Sequence, residues 1–165
     1  MAQLGPLNRE LRQWLDSSFD SVEVFASPMT RALVTARAVM GEGRALHVDA
    51  NLMEFDYGDY EGLTTEQIRE QRPEWDMWRD GCSNGETAAD VGRRVDSFLG
   101  ALREGPDSVV LFAHAHVLRI LAARAVGLEA RDGEVFSLDP ATVSVIGDVR
   151  SKWVIQHWNV TSRPL

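Results

Sequence analysis

The sequence predicts an α/β fold, three layers (α/β/α) around a mostly parallel central sheet, in a single domain spanning 1–165. Three observations predict it. Val22-Glu23-Val24-Phe25-Ala26 is a short, largely apolar run that leads at once into Ser27-Pro28 and a helical stretch. Ser108-Val109-Val110-Leu111-Phe112-Ala113 does the same ahead of a helical stretch at 117–126. No repeat, linker or low-complexity tract interrupts the 165 residues, a length at which one core buries roughly two-thirds of the unfolded surface. Strands that feed directly into helices are the pattern of a parallel sheet covered on both faces.

The elements follow in order. Leu7, Leu11, Trp14 and Leu15 recur at helical spacing, predicting an amphipathic helix that ends near Asp16-Ser17-Ser18. After the strand at 22–26, Ser27 is placed to cap a helix whose first residue is Pro28 and which runs to about Met40. A second short strand is expected at 45–48, then a structured loop from Asn51 to Gly62, rich in Asp, Tyr and Gly. Thr64 with Gln67 forms a capping-box pattern for a helix that Pro73 stops. The stretch 75–85 reads as irregular, and Thr87 with Asp90 caps the next helix, whose stripe Val91, Val95, Phe98, Leu99 and Leu102 faces the core. The strand at 108–113 and the helix at 117–126, closed by Gly127, come next. Short strands at 143–146 and 153–157 are expected to form an antiparallel edge of the sheet.

Composition narrows the function classes. A formal net charge of −8 repels polyanions and argues against a nucleic-acid partner. Lys152 is the one lysine, and the remaining cations are arginines, the side chain suited to bidentate grip on a phosphate. No apolar run is long enough to span a bilayer, the first residues have no signal-peptide pattern, and the single cysteine, Cys82, cannot form an intramolecular disulfide. The expectation is a cytoplasmic protein without a membrane partner.

In open α/β sheets, ligands bind beyond the carboxyl ends of the strands, where helix N-termini favour anions. Two such junctions carry polar residues: Ser27-Pro28-Met29-Thr30-Arg31-Ala32 and Ala113-His114-Ala115-His116. Arg31 is placed to reach a bound phosphate, a surface salt bridge being the alternative. His114 projects over the strand ends, whereas His116, two residues on, is free to point elsewhere. A His-x-His pair lacks the further ligands a metal site needs, and His47 and His157 stand alone, so no metal is expected. Among the acids of the 52–64 loop, Glu54 lies between Met53 and Phe55 and is the one expected to be desolvated. Desolvation favours the protonated form of a carboxyl group, as a general acid requires.

Taken in order, these stretches resemble the histidine phosphatase superfamily, whose fold is phosphoglycerate mutase-like. Ser27-Pro28-Met29-Thr30-Arg31-Ala32 resembles its Ser-Pro-x-x-Arg-Ala motif, Glu54 to Thr64 its acid loop, and His114-Ala115-His116-Val117-Leu118-Arg119 its second histidine motif. Trp75, Trp78, Gly81-Cys82, Gly85-Glu86-Thr87 and the closing Trp158-Asn159 are similar to the acid phosphatase and sugar-bisphosphatase branch. The resemblance covers residue 20 to the end. It implies a cofactor-free, two-step phosphoryl transfer through a phosphohistidine, with a small phosphorylated metabolite as substrate. Arg31 and the backbone at Ala115 would bind the phosphate, His114 would stabilise transition-state charge, and Glu54 would serve as acid and then base. Trp75 and Trp78 would wall the substrate pocket, core anchors being the alternative.

The sequence departs from the family in one important respect. The family begins with a strand ending in Arg-His-Gly, which supplies the nucleophile, and no Arg-His dipeptide occurs in this chain. That strand is central in the family's sheet, so without it each unpaired neighbouring backbone group costs about 1–3 kcal/mol, and an open edge invites homodimerisation by strand addition. Alanine also stands at 115 where the family usually has glycine, a mild disadvantage if that position needs positive φ or close backbone approach to phosphate. The expected function is therefore phosphomonoester hydrolysis, impaired or absent in this chain. The alternatives are a phosphate-binding pseudoenzyme or interaction module, a substitute nucleophile at His114 or His116, and, less favoured, a phosphoglycerate mutase.

Overall fold

A computed structural model describes Leu11 and residues 22–160. The opening amphipathic helix therefore lies outside the described residues except at Leu11, which is helical and buried. Strand β1 (Glu23–Ala26) lies between β2 (His47–Val48) and β3 (Val109–Phe112), parallel to both, with Phe25 opposite His47 and Leu111. The two faces of this sheet hold different cores, because successive strand residues point to opposite sides. Val24, Ala26, Val110 and Phe112 pack with Ala36 and Val39 of helix α1 (Thr30–Met40) and with Leu11. Phe25 and Leu111 pack on the other face, against a core built by helices α4 (Ala88–Arg103) and α5 (Ala115–Ala125). The predicted three layers are present.

The two sequence-local capping boxes form as expected. Thr64 Oγ1 accepts from Gln67 N at 3.3 Å and opens α2 (Thr65–Gln71), while Thr87 caps α4 through Asp90. In α4 the apolar stripe Val91, Val95, Phe98 and Leu99 is buried.

Four expectations need correction. Ser27 does not cap α1: Met29 occupies the N-cap position and the helix begins at Thr30, while the Ser27 hydroxyl lies 2.8 Å from a histidine at β3's end and accepts from Met29 N at 3.3 Å. Helix α5 begins at Ala115 rather than Val117, and His116 sits in its first turn as expected. The 75–85 stretch contains a short helix, α3 (Met77–Asp80), capped by Asp76. Strands β4 (Val143–Val149) and β5 (Lys152–Val160) are antiparallel but longer than predicted, and among the described residues they form their own two-stranded sheet. Arg150 and Ser151, at φ 53° and 63°, make their tight turn. Among the described residues, β3 pairs only with β1, and β4 only with β5. No helix of these residues is long and apolar enough to cross a membrane.

Candidate active site

Parallel pairing brings the ends of β1 and β3 side by side, with Ala26 opposite Phe112, and Ser27 N donates to Phe112 O at 2.9 Å. The residues that follow each strand therefore meet. His114, the N-cap of α5, is 7% exposed. Its Nδ1 accepts the Arg31 Nε hydrogen at 2.9 Å, so in the neutral ring the proton is on Nε2, which lies 2.8 Å from Ser27 Oγ. Burial, and next the Arg31 cation, lower the His114 pKa and keep the ring neutral. Nδ1 thus holds Arg31 and Nε2 faces Ser27, and Arg31 lines an open depression with Pro28, Met29, Thr30 and Val34.

Ala115 is exposed at the first position of α5 and does not have positive φ, so its side chain brings no conformational penalty. Of the two conditions under which alanine would be unfavourable there, positive φ is not met. Its N–H is not one of those that Glu54 takes.

Glu54 reaches this junction from the acid loop. Its side chain is 11% exposed. Oε1 accepts from Phe55 N at 3.0 Å and Val117 N at 3.1 Å, and Oε2 from His116 N at 3.3 Å. The carboxyl group thus sits on the N-terminal turn of α5, the helix that His114 caps. Such an end presents unpaired donors and the positive end of the helix dipole.

The loop itself is pinned by residues the sequence reading did not single out. Arg94 binds both oxygens of Glu86 at 2.9 and 3.0 Å and also donates to Asn51 O at 2.6 Å and Glu54 O at 3.2 Å. Glu86 Oε2 in turn accepts from Asp56 N at 2.9 Å. A signal for Arg94 was present: it falls on the same helical face as Val91 and Phe98, where a charge requires a buried partner. Gly58, at φ +51°, packs so closely that an added Cβ would lie 2.2 Å from Ser83 O.

The two tryptophans divide. Trp75 is 6% exposed, belongs to the core and donates from Nε1 to Gly81 O at 2.8 Å, so it does not wall a pocket. This corrects its expected place. Trp78 is half-buried and lines a cleft with Arg69, Arg131 and Glu134. One face of its ring carries the Arg119 guanidinium at 4.5 Å, and its centroid is 5.5 Å from that of His116. His116 also hydrogen-bonds Tyr57 Oη through Nδ1 at 2.8 Å. The two histidines of the His-x-His pair are thus held by different partners. Cys82 is a buried thiol whose pKa is pushed up to about 11 by burial and the nearby Asp56 charge, unsuited to nucleophilic work.

These features define a class: an α/β domain with a hydrogen-bonded arginine–histidine pair and a carboxyl group converging where two parallel strands end. Residues 8–161 match the model of the histidine phosphatase superfamily (branch 1), and the chain belongs to that family. It is 38% identical over 131 residues to an acid phosphatase of Mycobacterium tuberculosis, an alignment covering 78% of this chain and 63% of that protein. It is likewise 38% identical over 130 residues to a sedoheptulose 1,7-bisphosphatase of Saccharomyces cerevisiae, covering 64% and 48%. The chain thus spans less than two-thirds of either relative. The solved structure of an open reading frame product from Mycobacterium tuberculosis superposes with a TM-score of 0.87 at 32% identity, over 98% of this chain and 82% of that one. A mycobacterial glucosyl-3-phosphoglycerate phosphatase solved with inorganic phosphate shares the fold, with a TM-score of 0.80 at 24% identity over 98% of this chain and 85% of that one.

Proposed function

We propose that this chain provides the phosphate grip and the acid of a phosphomonoester hydrolase acting on small phosphorylated metabolites. The observation that carries the proposal is the Arg31–His114 hydrogen bond of 2.9 Å beside a Glu54 carboxyl seated on the helix that His114 caps. Arg31 and the Ala115 N–H hold phosphate oxygens, and His114 fixes the guanidinium. In the family reaction Glu54 would protonate the leaving oxygen and then take a proton from water, while the attack on phosphorus needs a nucleophile that these residues do not supply. Relatives named for acid phosphatase and bisphosphatase activity support this choice of reaction.

Within these 165 residues no histidine is placed as the attacking group. Both ring nitrogens of His114 are engaged, His116 Nδ1 is held by Tyr57, His47 pairs with Glu23 at 3.6 Å on β2, and His157 lies on β5. The proposal is therefore that these residues bind phosphate without turning over a substrate, as a phosphate-binding pseudoenzyme would. It extends to one domain over 1–165, a cytoplasmic setting, no nucleic-acid partner and a homodimer. The net charge of −8, the single cysteine and the one-sided edges of β3 and β4 support these parts.

Calorimetry with inorganic phosphate, and hydrolysis of an aromatic phosphate with chelator present, test the reading. The expected result is phosphate binding that Arg31→Ala abolishes, with no turnover. Absence of phosphate binding to the folded chain would refute the grip. Turnover that survives chelation and fails in His114→Ala would refute the non-catalytic part.

A further inference from the structure

His116 has no task in the reading above, yet it stands where it could spoil the acid. Its Nδ1 lies 3.9 Å from Glu54 Oε2. That oxygen is also the one with room for a proton, because Oε1 already accepts two N–H hydrogens and Oε2 only one, at 3.3 Å. An ordinary imidazole, at about 6.5, is a stronger base than an ordinary glutamate, at about 4.3. Left alone together, the ring would take the proton. The result would be a carboxylate–imidazolium pair with nothing on Glu54 to give a leaving group.

Tyr57 stands at the contested nitrogen, 2.8 Å from Nδ1, and among the described residues its hydroxyl has no other hydrogen-bond partner. Burial, and next the Glu54 charge, raise the phenol's pKa, so Tyr57 keeps its proton. Burial lowers that of His116, so the ring stays neutral. A phenol that must donate, facing a neutral ring nitrogen, donates to it. The ring proton then resides on Nε2.

We propose that Tyr57 is a positioning residue for the acid: its hydroxyl donates to His116 Nδ1, fixes the neutral Nε2–H tautomer, and blocks the nitrogen that would otherwise take the proton from Glu54 Oε2. This rests on Glu54 being the acid. The charges facing the ring are Glu54 from the acid loop, which favours imidazolium, and Arg119 one turn along α5, which opposes it. Glu134, from the turn at 130–135, faces Arg119. Trp78 and Phe55 supply the uncharged walls. During proton donation Tyr57 and His116 each keep their own proton, and only Oε2 gives one up.

The test is nitrogen-15 NMR of the histidine rings in the 165-residue chain, with and without Tyr57→Phe, which removes the hydroxyl and keeps the ring. Wild type is expected to show His116 as the neutral Nε2–H tautomer at pH 7. In Tyr57→Phe the Nδ1–H form becomes populated and the titration midpoint rises by about one unit, with His114 unchanged. Glu54→Gln in the wild-type background lowers the His116 midpoint, because a carboxyl group 3.9 Å from Nδ1 can favour the imidazolium and an amide cannot. A wild-type ring that carries its proton on Nδ1, or is charged at pH 7, overturns the proposal even if the variant fails to fold. An unchanged tautomer and midpoint in folded Tyr57→Phe do so as well. Phosphate calorimetry on the same samples separates the two ideas. Failure to bind phosphate removes the proposed function while leaving the tautomer result standing.

Discussion

Replacing Arg94 with alanine tests whether the acid loop is held by a half-buried ion pair or by its own turns. The side chains of Arg94 and Glu86 are 17% and 23% exposed. The substitution strips two charged hydrogen bonds from Glu86 and one each from the Asn51 and Glu54 carbonyls. Breaking one side of a buried pair costs about 3–5 kcal/mol, because the partner is left charged and desolvated. Asp56 N still donates to Glu86 at 2.9 Å, which favours the low end, about 3 kcal/mol. The assay is urea unfolding, read as a shift in midpoint at constant slope, with phosphate calorimetry alongside. The pair Arg124–Asp96 serves as the comparison. It has the same 2.9 Å geometry, but Asp96 is 44% exposed, so Arg124→Ala costs under about 1 kcal/mol. A loss below about 1 kcal/mol for Arg94→Ala would mean that the loop holds itself and that the argument from burial is wrong.

Three further outcomes follow from the same structure. His114 has a lowered pKa in the folded state, so the unfolded chain takes up its proton first as pH falls through about 6.5. Stability is therefore full above that pH and declines below it. Urea midpoints measured at pH 7.5 and 5.5 will show a smaller difference in His114→Gln. Gly58→Ala places a Cβ 2.2 Å from Ser83 O at φ +51°, whereas Gly41→Ala, at φ +101°, meets nothing within 4 Å. Thermal melts will show only backbone strain of about 1–3 kcal/mol for Gly41, whose ψ is 145°, and a clearly greater loss for Gly58. Trp75→Ala opens the core and costs about 3–5 kcal/mol, while Trp78→Ala leaves affinity for inorganic phosphate unchanged. Chemical unfolding and calorimetry on the two variants check that contrast.

Much of the fold was legible because its signals are local. Thr64 with Gln67, and Thr87 with Asp90, bond across three residues, so their helix starts can be read from adjacent letters. The strands at 22–26 and 108–113 and the stripe of α4 are likewise patterns within a few turns. Ser27 misled because its hydroxyl serves His114, 87 residues along the chain, as well as the neighbouring Met29 N, and caps no helix. Trp75 and Trp78 look alike in sequence, and only packing separates a core anchor from a cleft wall. The two-stranded arrangement of β4 and β5 was equally out of reach, since sheet membership is a choice of partner rather than of strand.

By itself, the sequence determined the α/β class, the order of the elements, and the candidate site residues Arg31, His114 and Glu54. Only the tertiary structure decided what those residues do to one another. Parallel pairing of β1 with β3 set Ser27 beside His114, and Arg94 drew the acid loop onto the end of α5. The physical reason is that a hydrogen-bonding side chain serves many partners equally well until burial removes water. The chain's fold then leaves it the few groups within about 3 Å.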